Sequence, residues 1–185
     1  MRLHSSRKII VFTALAFCLA SDVRTARAQE TFTSEYEIKA AFLFNFAKFI
    51  DWPVKPYVEA ETHFAIGVLG RDPFGDALEQ TIGGKTVKGR AIVIRRFRHI
   101  SEYKPCDILF ISESEKPGLP EIVQRLRRES VLTVSDMPEF GRRGGMIYLF
   151  TEDNKVRFSI RTDLTDRAGL RLGSRLLNLS RPQPD

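Results

Sequence analysis

The residues of this chain that could do chemistry fall into a few small groups, and each group lacks a member its chemistry requires. Gly83-Gly84-Lys85-Thr86 has the glycine, lysine and hydroxyl of a phosphate-cradling loop. That pattern needs another glycine five positions before Gly84, where Glu79 stands. The context is inverted as well, because a phosphate loop leads from a strand into a helix and this segment follows a helical pattern; the glycines read as a helix C-cap. Beyond the first 28 residues the histidines are His63 and His99, with no HxH, HxxxH or CxxC spacing, so no metal site is expected. No GxSxG motif supplies a nucleophilic serine. Carboxylates do gather where a parallel sheet would place a site, just after apolar runs: Asp72, Glu113, Glu115 and Asp136. A phosphate-receiving arrangement would also need an aspartate where Ser112 stands, and capping and solvation explain the group more simply. Neither catalysis nor a cofactor is expected.

Recognition chemistry is what remains. Arg142, Arg143 and Gly144 read either as an anion-binding nest or as a turn with solvated arginines. Cys106 precedes an apolar run and reads as a buried small hydrophobe or a reactive thiol.

The elements that must position these groups follow from periodicity. Arg2, Arg7 and Lys8 precede an uncharged apolar run from Ile9 to Ala20, and Ala26-Arg27-Ala28 offers the small-x-small pattern of a cleavage site. Residues 1–28 therefore read as a secretory signal peptide and 29–185 as one domain, with no transmembrane segment expected in the mature protein. Five basic residues and one acidic residue lie in the signal, leaving 24 against 22 and a net charge of +2 in place of +6. A nucleic-acid partner loses its electrostatic basis. Cys18 leaves with the signal, so the mature domain has the single thiol of Cys106 and no internal disulfide.

Ser34 and Glu37 suggest a capping box opening a helix to Ile50, ended by Trp52-Pro53. Its expected stripe is Ile38, Phe42, Phe46, Phe49 and Ile50, and apolar residues spread round the remaining circumference. Either the helix is deeply packed, or it covers a sheet on one side and meets a second molecule on the other through Phe42, Phe46 and Phe49. After a Pro53/Pro56 linker, strands are expected at 63–69, 90–96, 107–111 and 131–135. A helix capped by Asp72 with Pro73 in its first turn, and another carrying Leu119, Ile122, Val123 and Leu126, lie between them. Met146–Phe150 and Val156–Ile160, joined by Glu152-Asp153-Asn154-Lys155, form a hairpin. Short helices from Asp163 and Ser174 precede a mobile tail with Pro182 and Pro184. The expected fold is an α/β three-layer sandwich: a mainly parallel sheet with an antiparallel edge hairpin and helices on both faces.

Four stretches, EYEIKAAFLFNFAKFIDWP, FAIGVLGRDPFG, CDILFIS and VLTVSDMPEFGRRGGMI with its hairpin, together resemble the YfiR family over about Glu35 to Arg181. The resemblance implies a periplasmic, often dimeric regulator that binds and represses the periplasmic domain of an inner-membrane diguanylate cyclase, limiting cyclic-di-GMP and biofilm formation. Relatives that serve as sensory modules beside histidine kinases imply an alternative, a small-molecule sensor. By position, the partner-binding residues would be Tyr148, Ile160, Asp163, Leu164 and Asp166, with Leu170 added. A ligand would sit among Arg71, Asp136, Arg142 and Arg143. The family's redox-sensitive disulfide has no counterpart here, since Cys106 stands without a second cysteine in the mature chain.

Overall fold

A computed structural model describes residues 35–53 and 63–183. The signal peptide, Ser34, Pro56 and Pro184 lie outside the described residues. The first helix, α1, covers 35–49 and runs directly into a two-residue strand, β1 (Ile50–Asp51). There follow β2 (His63–Leu69), α2 (Ala77–Ile82), β3 (Thr86–Val87), β4 (Arg90–Phe97) and β5 (Ile108–Ile111). The chain continues through α3 (Leu119–Leu126), β6 (Leu132–Ser135), β7 (Ile147–Glu152) and β8 (Lys155–Ile160). It closes with α4 (Thr162–Arg167), β9 (Arg171–Leu172) and α5 (Ser174–Leu179).

Seven strands form one sheet in the order β3-β4-β2-β5-β6-β7-β8. From β4 to β7 all pairings are parallel, and antiparallel strands close both edges, β3 on β4 and β8 on β7. The expected sandwich with its edge hairpin is the fold observed. The β5 strand lies at the centre with every residue buried, which is why Ile108–Ile111 is a continuous apolar run and not an alternating one. Side chains on one face of the sheet, including Phe64, Ile66, Val68, Phe110 and Val134, pack with α1, α2 and Leu176 of α5. Ala65, Leu69, Leu109 and Ile111 point the other way, towards Leu119, Ile122 and Leu126 of α3. Each large side chain so buried contributes roughly 1.5–3 kcal/mol.

Three expectations are corrected. The inward stripe of α1 is Tyr36, Lys39, Ala40, Leu43, Phe46 and Ala47, continued by Ile50 of β1, so Ile38 is left 44% exposed and Phe42 and Phe49 lie half-buried on its flank. A helix apolar nearly all round does not encode which face docks. Next, α2 begins at Ala77, because the Asp72 carboxylate accepts the N–H of Phe74 at 2.8 Å and closes a turn in place of a helix cap. Finally, the cap positions of α4 and α5 are Arg161 and Gly173 in place of Asp163 and Ser174. Two-residue strands too short to show a period complete the structure: β3, and β1 paired with β9 through Ile50↔Leu172 and Asp51↔Arg171. The tail is tied down as far as it is described, since the Arg181 N–H donates to the Phe158 carbonyl at 2.8 Å along the outer edge of β8.

Candidate functional site

Asp136 follows β6 immediately, at the carboxyl end of the parallel sheet, where α/β folds place their ligands. Here that position is filled from within. The Tyr36 hydroxyl and the Lys39 ammonium both donate to Oδ2 of Asp136, each at 2.7 Å. Lys39 is only 4% exposed, and its ammonium also lies 4.3 Å from the centre of the Tyr36 ring. Tyr36 in turn meets Phe74 edge-on, and Phe74 meets Phe110 of β5. The first turns of α1 are thus bolted to the end of the sheet through a charge pair shielded from water, where losing either partner is costly. Burial raises the phenol pKa of Tyr148, with the nearby Asp136 charge adding to the rise and Lys39 opposing it.

The other three candidate ligand residues have separate attachments. Arg71 is exposed, and its backbone N–H donates to Ser114 Oγ at 2.9 Å. Arg142 lies 4.0 Å from Glu139, and Arg143 donates from Nη2 to the Lys116 carbonyl at 3.2 Å. The backbone N–H groups of Arg143, Gly144 and Gly145 donate to carbonyls of their own turn, Glu139, Gly141 and Phe140. An anion nest needs those groups free, so the loop reads as a closed turn. On the far side of the sheet's end, Asp72 and Glu79 share the guanidinium of Arg96, which holds the Glu79 carboxyl below its usual range.

The candidate partner residues divide by burial. Tyr148 is 9% exposed and stacked on Phe150, and Leu170 is wholly buried. Both belong to the core, because Tyr148 faces the α3 side of the sheet and Leu170 lies in the buried cluster that holds Leu176 of α5. Phe46 of the candidate dimer surface is likewise wholly buried, edge-on to Phe158, which Phe42 also meets. Ile160 and Leu164 are half-buried, and Asp163 and Asp166 are exposed. These four are carried by the end of the edge strand β8 and by α4. Arg161 fixes their junction: it holds Asp163 through two 2.9 Å hydrogen bonds and donates to the Gly141 carbonyl at 2.8 Å. The pairing lowers the Asp163 pKa.

Cys106 is a buried thiol whose pKa burial pushes up to about 12, so it behaves as a small hydrophobe. Its neighbour Gly67 has no room to be anything else: a Cβ there would come within 2.9 Å of Leu109 and 3.2 Å of Cys106 Sγ. Among the described residues no cluster of His, Cys, Asp and Glu could hold a metal ion, and no helix is long and apolar enough to cross a membrane. The role of Lys39 was missed, although a lone lysine in the apolar run EYEIKAAFLF was a visible signal for a buried ion pair. Tyr36 gave no such signal, being 100 residues from Asp136.

A family model described as YfiR/HmsC-like matches residues 36–181, nearly all of the domain just described. No curated protein matches the chain.

Proposed function

The chain belongs to the YfiR/HmsC-like family of periplasmic, non-catalytic regulators of cyclic-di-GMP signalling, and on that premise we propose that it represses an inner-membrane diguanylate cyclase by binding its periplasmic domain. Residues 1–28 direct its export in this reading, and the docking surface is the end of β8 with α4.

One observation carries the choice of surface. α4 leaves Asp163 and Asp166 exposed around a half-buried Leu164, beside Ile160 on an edge strand. An apolar centre with a charged rim is the anatomy of a protein interface. Edge strands also tend to be covered, and here the chain's own tail takes only part of that edge, at Phe158. Tyr148 and Leu170 are buried and are left out of this surface.

The test is site-specific photo-cross-linking in the host, with the photoreactive side chain replacing Asp166. A covalent adduct with a membrane diguanylate cyclase is the expected product. An adduct with a sensor kinase would replace the cyclase reading with that of a sensory module, and a reactive but adduct-free protein would overturn the surface.

A further inference from the structure

A cavity of about 220 Å³ opens at the other end of β6 from Asp136, enclosed by α3, α4 and the loop leading into β7. Its walls are apolar: Val123 and Leu126 from α3, Met146 before β7, and Leu164 and Ala168 from α4. Gly144 closes one side at φ +97°, and a Cβ there would lie 2.9 Å from Val123 Cγ1, so that wall stands as near α3 as the backbone allows. Three donors break the apolar lining. Arg127, just past the end of α3, and Arg167, the last residue of α4, line it as exposed residues, and Thr133 comes from the sheet. The Thr133 hydroxyl is buried and accepts the Met146 N–H at 3.1 Å, which leaves its own proton to donate.

Neither charge is strongly committed. Arg127 makes no side-chain ion pair among the described residues, and Arg167 has Asp163 at 4.0 Å, an exposed pair of little strength. Two guanidinium groups at the mouth of an apolar cavity attract a planar anion that each can grip with parallel N–H donors. A cavity of ~150 Å³ lined by aliphatic side chains takes up benzene, so this one has room for a body of that size and a carboxylate.

We propose that this cavity binds a small monocarboxylate with an apolar body about the size of a benzene ring, the carboxylate held between Arg127 and Arg167 and the body among Val123, Leu126, Met146 and Leu164. The proposal stands without the partner reading, because it concerns the free protein. If both hold, the two sites share Leu164, which lines the cavity and stands at the centre of the docking surface, so a ligand here would bear directly on docking.

Phenylpropionate is a suitable probe, followed by calorimetry and ligand-detected NMR on the purified protein. The expected result is saturable binding with a Kd at or below about 1 mM. Arg127→Ala combined with Arg167→Ala should weaken it roughly tenfold or more while leaving the melting temperature close to wild type, since both residues are exposed. Ala168→Phe, which fills the cavity, should abolish binding, and the neutral amide of the probe should bind as weakly to wild type as the acid does to the double variant. No binding of phenylpropionate at millimolar concentration would overturn the site, as would equal binding by wild type, the double arginine variant and Ala168→Phe. A folded Ala168→Phe protein that still binds would place the ligand elsewhere.

Discussion

Asp136 occupies the position that α/β sheets commonly give to a ligand, and it spends its charge on the protein's own first helix. Asp136→Ala would take the acceptor from Tyr36 and the carboxylate from buried Lys39. The loss should be about 3 kcal/mol, read as a lower denaturation midpoint at unchanged slope. Lys39→Met combined with Asp136→Leu should recover much of it, which a bond important only for its charge would not allow. Cys106 supplies a second expectation. Its folded pKa is raised to about 12 from 9.0, so the folded state keeps a proton that the unfolded chain releases. The thiol's contribution is therefore full below pH 9 and falls by about 1.4 kcal/mol per pH unit as pH rises towards the folded value. Cys106→Ala should flatten the alkaline limb of a stability–pH curve, and an unchanged limb would assign it to other groups. At this scale the sequence was least legible. Asp136 was visible as a site-placed carboxylate, but neither Tyr36 nor Lys39 could be joined to it across ~100 residues without the sheet that brings them together.

Elements were far more legible, because hydrophobic period and turn chemistry act locally. The run SVLTVS, the helix carrying Leu119, Ile122 and Leu126, and the final hairpin all stand where their patterns place them. The hairpin turn is sharper than expected: Asp153 and Asn154 alone form the loop, at φ +49° and +57°. That is the geometry of a primed turn, which β-branched residues resist. Asn154→Val should destabilise by about 1 kcal/mol, and Asn154→Gly should be neutral or stabilising, both measured by denaturant titration. The misplaced start of α2 has a different cause: Asp72-Pro73 is a proper helix signal, but Arg96 and the Phe74 N–H capture the aspartate. On α1, the flank of Ile38, Phe42 and Phe49 is what remains for a second molecule, since Phe46 is committed to Phe158. We propose homodimerisation through that flank, with Ile38→Asp giving a monomer in light scattering and an unchanged melt. A monomeric wild type at high concentration would exclude it.

At the scale of the whole molecule, a three-layer core carries its two outward-looking features on one short helix. α4 shows Asp163 and Asp166 to solvent and lines a cavity with Leu164, Arg167 and Ala168. The cavity was not legible in the sequence, since its walls come from four separate segments whose local patterns mark a helix and a turn and do not show that they meet. The proposed repression depends on the outer side of α4, where Asp166 is an exposed side chain whose reversal to arginine costs the fold little. The most direct measurement is the intracellular cyclic-di-GMP concentration in a host lacking this chain, complemented with wild type or with Asp166→Arg exported to equal levels. The account expects the concentration to rise on deletion, to return to its starting level with wild type, and to stay raised with the folded Asp166→Arg variant. A concentration indifferent to deletion would contradict repression, and full complementation by Asp166→Arg would contradict α4 as the surface that delivers it.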